Sequence, residues 1–334
     1  MAFDLAFIWA GLIAFAVLAY VILDGFDLGI GILYPTARSE RERDLMMNSV
    51  APVWDGNETW LILGGGGLFA VFPLAYSVVM PALYMPIILM LLALIFRGVS
   101  FEYRWRTRRW KRVWDWAFFG GSFVAAFCQG IALGALVQGI KVADRAYAGG
   151  WWDWLTPFSV LTGLALVVGY ALLGSTWLIL KTTGALQLQM RSHAWWLGVA
   201  TLALIGVVSL LTPFQDPIYF QRWFNLPGSV WTMAVPLLML ALAWAFFAGL
   251  NDMKDAQPFL SALGFFVVSF IGIGISFYPM IVPPSLSIWE AAAPESSLAF
   301  ALVGAVVLIP IILAYTAYAY WVFRGKLDPS EGYH

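Results

Sequence analysis

The sequence predicts an all-α polytopic integral membrane protein with nine transmembrane helices, the N-terminus outside and the C-terminus inside. Three observations carry that prediction. Of 334 residues, 62% are hydrophobic and 11% charged, whereas a soluble domain carries about a quarter charged residues. The eighteen Lys and Arg and nineteen Asp and Glu cannot clothe a water-facing surface, so most of the surface must face lipid or apolar protein. The apolar runs are continuous over about twenty residues or more, as helices require, whereas a membrane β-barrel would alternate in segments of roughly ten. Finally, the connectors on one side of a nine-span layout hold all the basic residues except Lys141, Arg145 and Arg222, the asymmetry expected of an inner face. A soluble enzyme, a nucleic-acid binder and a disordered scaffold are excluded.

The spans fall approximately at 5–33, 52–72, 76–100, 116–138, 158–180, 195–212, 230–250, 258–281 and 297–322. The first is too long for a cleaved leader and has no Lys or Arg in residues 1–10, so it reads as a genuine span. The second opens with Trp54, Asp55, Glu58 and Trp60 and continues into the glycine run Gly64 to Gly67. The third ends in a basic stretch from Arg97 to Trp116 that reads as an anchor facing anionic headgroups rather than a nucleic-acid patch. Gly130 and Gly134 in the fourth span, like Gly25 and Gly29 in the first, have the spacing that lets helix backbones approach closely, and packing is also the reading for Gly64 to Gly67. Trp151, Trp152 and Trp154 in the connector before the fifth span read as an interfacial belt. Pro81, Pro86, Pro213, Pro236, Pro279 and Pro310 lie in or beside spans and are expected to mark kinks. No connector is long enough to fold alone, so residues 1–334 form one membrane domain.

Charges inside a bilayer mark function by default. Asp24 and Asp27 stand three apart in the first span and Asp55 and Glu58 three apart in the second, so each pair shares a helix face. The layout puts all four toward the inner side on antiparallel helices, where clustered carboxylates share protons because their joint ionisation is disfavoured. A proton relay follows, against the blander alternative of helix-dipole acids. Arg97 is either an interfacial anchor, the favoured reading, or the counter-ion of these acids. Metal redox centres need several His, Cys or carboxylate ligands. This chain has two histidines, His193 in a connector and His334 at the terminus, and one cysteine, Cys128 in an apolar run. No catalytic or metal-ligating residue is expected here, and any redox metal must come from another chain.

The stretches Asp24 to Gly29, Asn48 to Trp60 and Phe96 to Arg104, in that order and spacing over a nine-span chain, resemble subunit II of the cytochrome bd-type quinol oxidases. The short chain is similar to the cyanide-insensitive branch. The resemblance implies two four-helix bundles plus a peripheral helix, in a bacterial inner-membrane complex that oxidises quinol and reduces dioxygen to water. It implies that haems b558, b595 and d belong to a partner, subunit I, with room for a small single-span subunit and for a structural quinone or phospholipid in an apolar groove. On the same ground Asp24 and Asp55 are the expected proton carriers, with Glu58 and Asp27 as second choices and Trp54 and Trp60 as lining or belt aromatics. The competing readings are a proton-coupled secondary transporter, which broken helices and intramembrane acids would suit, and a purely structural scaffold.

Overall fold

The computed structural model describes residues 4–107, 109–226 and 228–327; Arg108, Pro227 and His334 lie outside them. In chain order the helices are α1 (Leu5–Leu33), α2 (Glu40–Asn48), α3 (Trp54–Val71), α4 (Pro73–Ala82), α5 (Tyr84–Arg106), α6 (Lys111–Gln138), α7 (Pro157–Lys181), α8 (Gly184–Leu211), α9 (Pro217–Phe224), α10 (Gly228–Asn251), α11 (Ala256–Phe277), α12 (Ile288–Ala291) and α13 (Glu295–Val322). Two small antiparallel hairpins interrupt them, β1 (Val142–Ala143) with β2 (Ala146–Tyr147) and β3 (Met280–Val282) with β4 (Leu286–Ser287).

Local chemistry sets the helix ends. Asp4 caps α1 by accepting from the Phe7 amide at 3.0 Å. Thr156 and Ser159 form a reciprocal capping box at the start of α7, with Pro157 in the first turn, where its missing N–H costs nothing. α6 stops at Gly139, whose φ of 88° a side chain would disfavour. Arg104 and Arg106 occupy the last turn of α5, where positive charge complements the helix dipole.

Among the described residues eight helices are long and apolar enough to cross a bilayer: α1, α5, α6, α7, α8, α10, α11 and α13. The expected second span corresponds to α3, whose eighteen residues open on Asp55, Asn57 and Glu58 and so lack a comparably apolar stretch. The expected third span is divided, because the chain turns at Leu83 between α4 and α5. α8 starts at Gly184 rather than near residue 195; its first turns are polar but helical, which puts His193 on a helix and not in a connector. Pro81, Pro236 and Pro310 lie inside helices, whereas Pro86, Pro213 and Pro279 stand at or near element boundaries.

Helices α1, α3, α5 and α6 pack as one group and α7, α8, α10 and α11 as a second, joined where α7 lies against α1 and α6. α13 flanks α1 and α3, and Leu298 is its one buried residue. The seam between the groups depends on glycine. A Cβ on Gly29 would overlap the Tyr170 carbonyl, and one on Gly174 the Gly29 backbone. Gly130 likewise leaves 2.5 Å for a Cβ before the Thr162 carbonyl. The close-approach reading therefore holds for Gly29 and Gly130. Within this chain the glycine run makes no such approach: Gly65 and Gly66 face nothing within 4 Å, and Gly64 and Gly67 only ordinary 3.4 Å contacts, among the described residues.

Ion pairs close one end of the helices. Asp255 joins Arg191 at 2.5 Å and Lys326 at 2.7 Å, and the Lys326 ammonium also donates to the Ile179 and Thr182 carbonyls. The α7–α8 turn, the α10–α11 turn and the segment after α13 are thereby tied together. At the other end Trp289 donates to Asp4 at 2.8 Å and Trp9 to the Leu298 carbonyl at 3.0 Å.

Gly29→Ala is expected to destabilise by about 1–3 kcal/mol or more through overpacking, while Gly65→Ala is neutral or stabilising by up to about 1 kcal/mol from helix propensity. Thermal unfolding of the detergent-solubilised protein, measured side by side for the two variants, checks both.

Candidate functional site

The polar centre is built on α5. Arg97 stands about two and a half turns before the end of that helix, is fully buried, and so requires charge partners. Its Nη1 donates to Asp24 Oδ1 at 2.7 Å and to Glu58 Oε1 at 2.9 Å, while Nη2 lies 3.8 Å from Asp27 Oδ2. Asp24 and Asp27 are also fully buried, and only Glu58, with 23% of its side chain exposed, keeps contact with the outside. The guanidinium lies 5.9 Å from the Trp54 ring and 6.0 Å from Phe101, and those two rings stack on each other at 4.7 Å. The anchor reading of Arg97 is corrected: it is the counter-ion of the acid cluster.

Two chains of uncharged polar groups leave this cage. Asp27 Oδ2 accepts from Asn57 Nδ2 at 2.7 Å, and Asn57 Oδ1 accepts from the Tyr320 hydroxyl on α13 at 3.0 Å. On the other side Tyr20, one turn before Asp24, accepts from Gln129 Nε2, and Gln129 Oε1 accepts from the Tyr170 hydroxyl, both at 2.8 Å. Sequence reading missed all five residues. The only available signal was spacing: Tyr20 and Asp24 share a face of α1, and Asn57 sits beside Glu58.

The four predicted acids are not all brought together. Asp24, Asp27 and Glu58 surround Arg97, whereas Asp55 is exposed on the first turn of α3. Trp54 lies against the guanidinium. Trp60 is buried among Ala16, Ala19 and Tyr20, edge-on to Phe15 at 5.6 Å, and so is neither a belt residue nor at the mouth of the cage.

A second buried arginine stands two turns further along α5. Arg104 donates to Asp115 at 2.6 Å, Asp44 at 2.7 Å and Glu40 at 3.3 Å, tying α5 to α6 and α2. Burial pushes the Glu40 carboxyl up, but Lys111, Arg43 and Arg104 outweigh it and hold it below its ordinary range. The basic stretch was expected at the membrane surface. Its two inward members, seven residues apart on one face, are instead structural ion-pair centres.

Among the described residues no group of three or more His, Cys, Asp or Glu side chains could hold a metal ion. The acids around Arg97 are occupied by a guanidinium, and His193 is partly buried beside Trp195 and Trp196 without a second ligand.

Arg97→Met leaves buried carboxylates uncompensated and is expected to cost about 3–5 kcal/mol. Adding Asp24→Asn and Glu58→Gln to the same chain should recover much of that loss. Thermal melts of the purified protein check the pair, and a single variant as stable as the parent would refute the counter-ion role.

The family model described as cytochrome bd terminal oxidase subunit II matches residues 5–323. The chain is 33% identical to cytochrome bd-I ubiquinol oxidase subunit 2 of Escherichia coli (strain K12), over 98% of this chain and 96% of that one. It is 29% identical to cytochrome bd ubiquinol oxidase subunit 2 of Bacillus subtilis (strain 168), over 97% of each. In fold it is similar to the structure of bd oxidase from Geobacillus thermodenitrificans, with a TM-score of 0.79 at 15% identity, covering 96% of this chain and 99% of that one. With its apolar helices and its near full-length match, the chain belongs to the cytochrome bd terminal oxidase subunit II family and is a respiratory oxidase subunit of the bacterial inner membrane.

Proposed function

We propose that this chain is the haem-free subunit II of a quinol:oxygen oxidoreductase and that its Arg97 cage takes up protons from the cytoplasm for the reduction of dioxygen to water. The haems b558, b595 and d, and with them the electron transfer, belong to a partner subunit I. The scarcity of histidine, with His193 and His334 alone in the chain, supports this division. The basic end of the bundle faces the cytoplasm, with the N-terminus outside and the C-terminus inside, as the clustering of Lys and Arg favours. We take α3 as the ninth span, its inward polar side chains satisfied because Asn57 bonds Asp27 on α1 and Glu58 bonds Arg97 on α5.

One observation carries the proton role: Arg97 bonds Asp24 and Glu58 at once, the first fully buried and the second partly exposed. With every acid ionised, the three carboxylates around one guanidinium leave excess negative charge in a low-dielectric place, and binding a proton relieves it. Asp24 Oδ2 and Asp27 Oδ1 make no hydrogen bond to the described residues and are the sites for that proton. Asp55, exposed at the head of α3, is the outermost acceptor and passes protons to Glu58, one turn on. Glu58 passes them to Asp24, and Asp27 serves the branch through Asn57 and Tyr320. The family model and the relatives named above are oxidase subunits, which favours this reading over the transporter alternative.

In the purified oxidase complex, Asp24→Asn and Glu58→Gln are each expected to lower oxygen consumption and proton uptake by roughly tenfold or more, with the haem spectrum unchanged. Asp55→Asn lowers them less, because water can substitute at an exposed site. Normal turnover in the Asp24 and Glu58 variants, or loss of haem in step with activity, would favour the scaffold role instead.

A further inference from the structure

Among the described residues, Asp27 is the one acid of the cage whose side chain is bonded by a neutral group. Arg97 Nη1 is shared by Asp24 and Glu58, and Nη2 stands 3.8 Å from Asp27 Oδ2, beyond hydrogen-bond reach. The donor to Asp27 is Asn57, whose Nδ2 lies 2.7 Å from Oδ2. Asn57 is buried, so both ends of its amide must find partners inside the protein. The Nδ2 end also approaches the Leu23 carbonyl at 3.3 Å, and the Oδ1 end accepts from the Tyr320 hydroxyl at 3.0 Å.

The amide has one orientation that works. Turned over, it would press Oδ1 against the Asp27 carboxylate and the Leu23 carbonyl, an acceptor facing two others. The Tyr320 hydroxyl reinforces the favourable choice by filling the acceptor end with its proton. A proton on Asp27 Oδ2 would need the reverse arrangement, with Asn57 accepting from the carboxyl and donating to Tyr320, and the Leu23 carbonyl would again meet an oxygen. Oδ2 is thus kept as an acceptor. Oδ1, which has no partner among the described residues, is left to take the proton. Tyr320 is itself held in place: its ring packs edge-on against Phe26 at 6.4 Å and Trp177 at 6.2 Å, and the segment after α13 is pinned to the end of α7 by Lys326.

We infer that Tyr320 and Asn57 are positioning residues for Asp27: Tyr320 sets the Asn57 amide, and Asn57 holds Asp27 Oδ2, so that the proton exchanged at this acid sits on Oδ1. The inference deepens the proton-uptake reading of the Arg97 cage and rests on it. The branch through Asn57 and Tyr320 orients Asp27 and is not itself a conduit, because an amide holds its hydrogens too tightly to pass one from the carboxyl to the hydroxyl. By this route α13, whose one buried residue is Leu298, acts on the polar centre.

The test uses the intact oxidase complex, with the haem spectrum as the check on assembly. Proton uptake during turnover and the carboxyl bands of the redox-difference infrared spectrum are read for Tyr320→Phe, which removes the hydroxyl and keeps the packed ring. Uptake is expected to slow about twofold to tenfold, the range for one neutral hydrogen bond, and the carboxyl band that Asp27→Asn removes is expected to shift. On an Asp27→Asn background Tyr320→Phe should slow uptake no further, since the group it acts on is gone. Equal slowing on both backgrounds is what a merely structural role gives, and it would overturn the inference. An unshifted Asp27 band, a spectrum with no band that Asp27→Asn removes, or a silent Tyr320→Phe would do the same; if Asp24→Asn and Glu58→Gln are slow in that case, the cage reading stands without this branch. Should Asp24→Asn and Glu58→Gln both be silent, the proton-uptake reading falls and takes this inference with it. If Tyr320→Phe fails to assemble, Asn57→Leu breaks the same chain at its middle, and the loss of its effect on the Asp27→Asn background decides.

Discussion

A guanidinium buried in a membrane protein has to be paired, and the pairing of Arg97 dictates much of the architecture around it. Its partners come from two other helices, Asp24 from α1 and Glu58 from α3, so three helices must converge at one depth. Removing one partner of such a pair costs several kcal/mol, whereas replacing the whole set by apolar residues is often neutral or stabilising. Stability alone therefore does not explain the cage. Its composition, three acids to one base, suits a centre that exchanges protons better than one that only holds helices together.

The rest of the core accommodates this constraint. α1 carries the acids on one face and Gly25 and Gly29 beside them, which lets α7 lie close enough for Tyr170 to reach Gln129 and, through it, Tyr20. α5 repeats the device two turns later with Arg104, nearer the basic end, where its partners Asp44 and Glu40 are partly exposed at 33% and 52%. Burial thus deepens along one helix from the Arg104 cluster to the Arg97 cage. The outer cluster fixes α2 and α6 to α5, while the inner one holds the acids proposed to exchange protons.

What was legible in the sequence is what depends on contiguous residues. The apolar run of α1 gives its bounds directly, and paired acids at helical spacing identify Asp24, Asp27 and Glu58. The break between α4 and α5 was hidden because both sides of Leu83 are equally apolar and no charge marks the turn. Arg97 looked interfacial because the apolar run ends near it. The helix continues to Arg106 through Glu102 and Arg104, and the extra turns move Arg97 inward. Asp55 and Glu58 share a face by spacing, yet packing against α5 turns only Glu58 inward. Gln129, Tyr170 and Tyr320 were invisible for a different reason: single uncharged polar residues are common in membrane helices, and their partners lie on other helices far away in the chain.

The central claim is that the acids around Arg97 change protonation as the oxidase turns over. Redox-difference infrared spectroscopy of the intact complex reads the carboxyl stretching bands directly. The account predicts a carboxyl difference band that disappears in Asp24→Asn and is altered in Glu58→Gln while the haem bands persist. A difference spectrum whose carboxyl region is identical in the parent and both variants would contradict it.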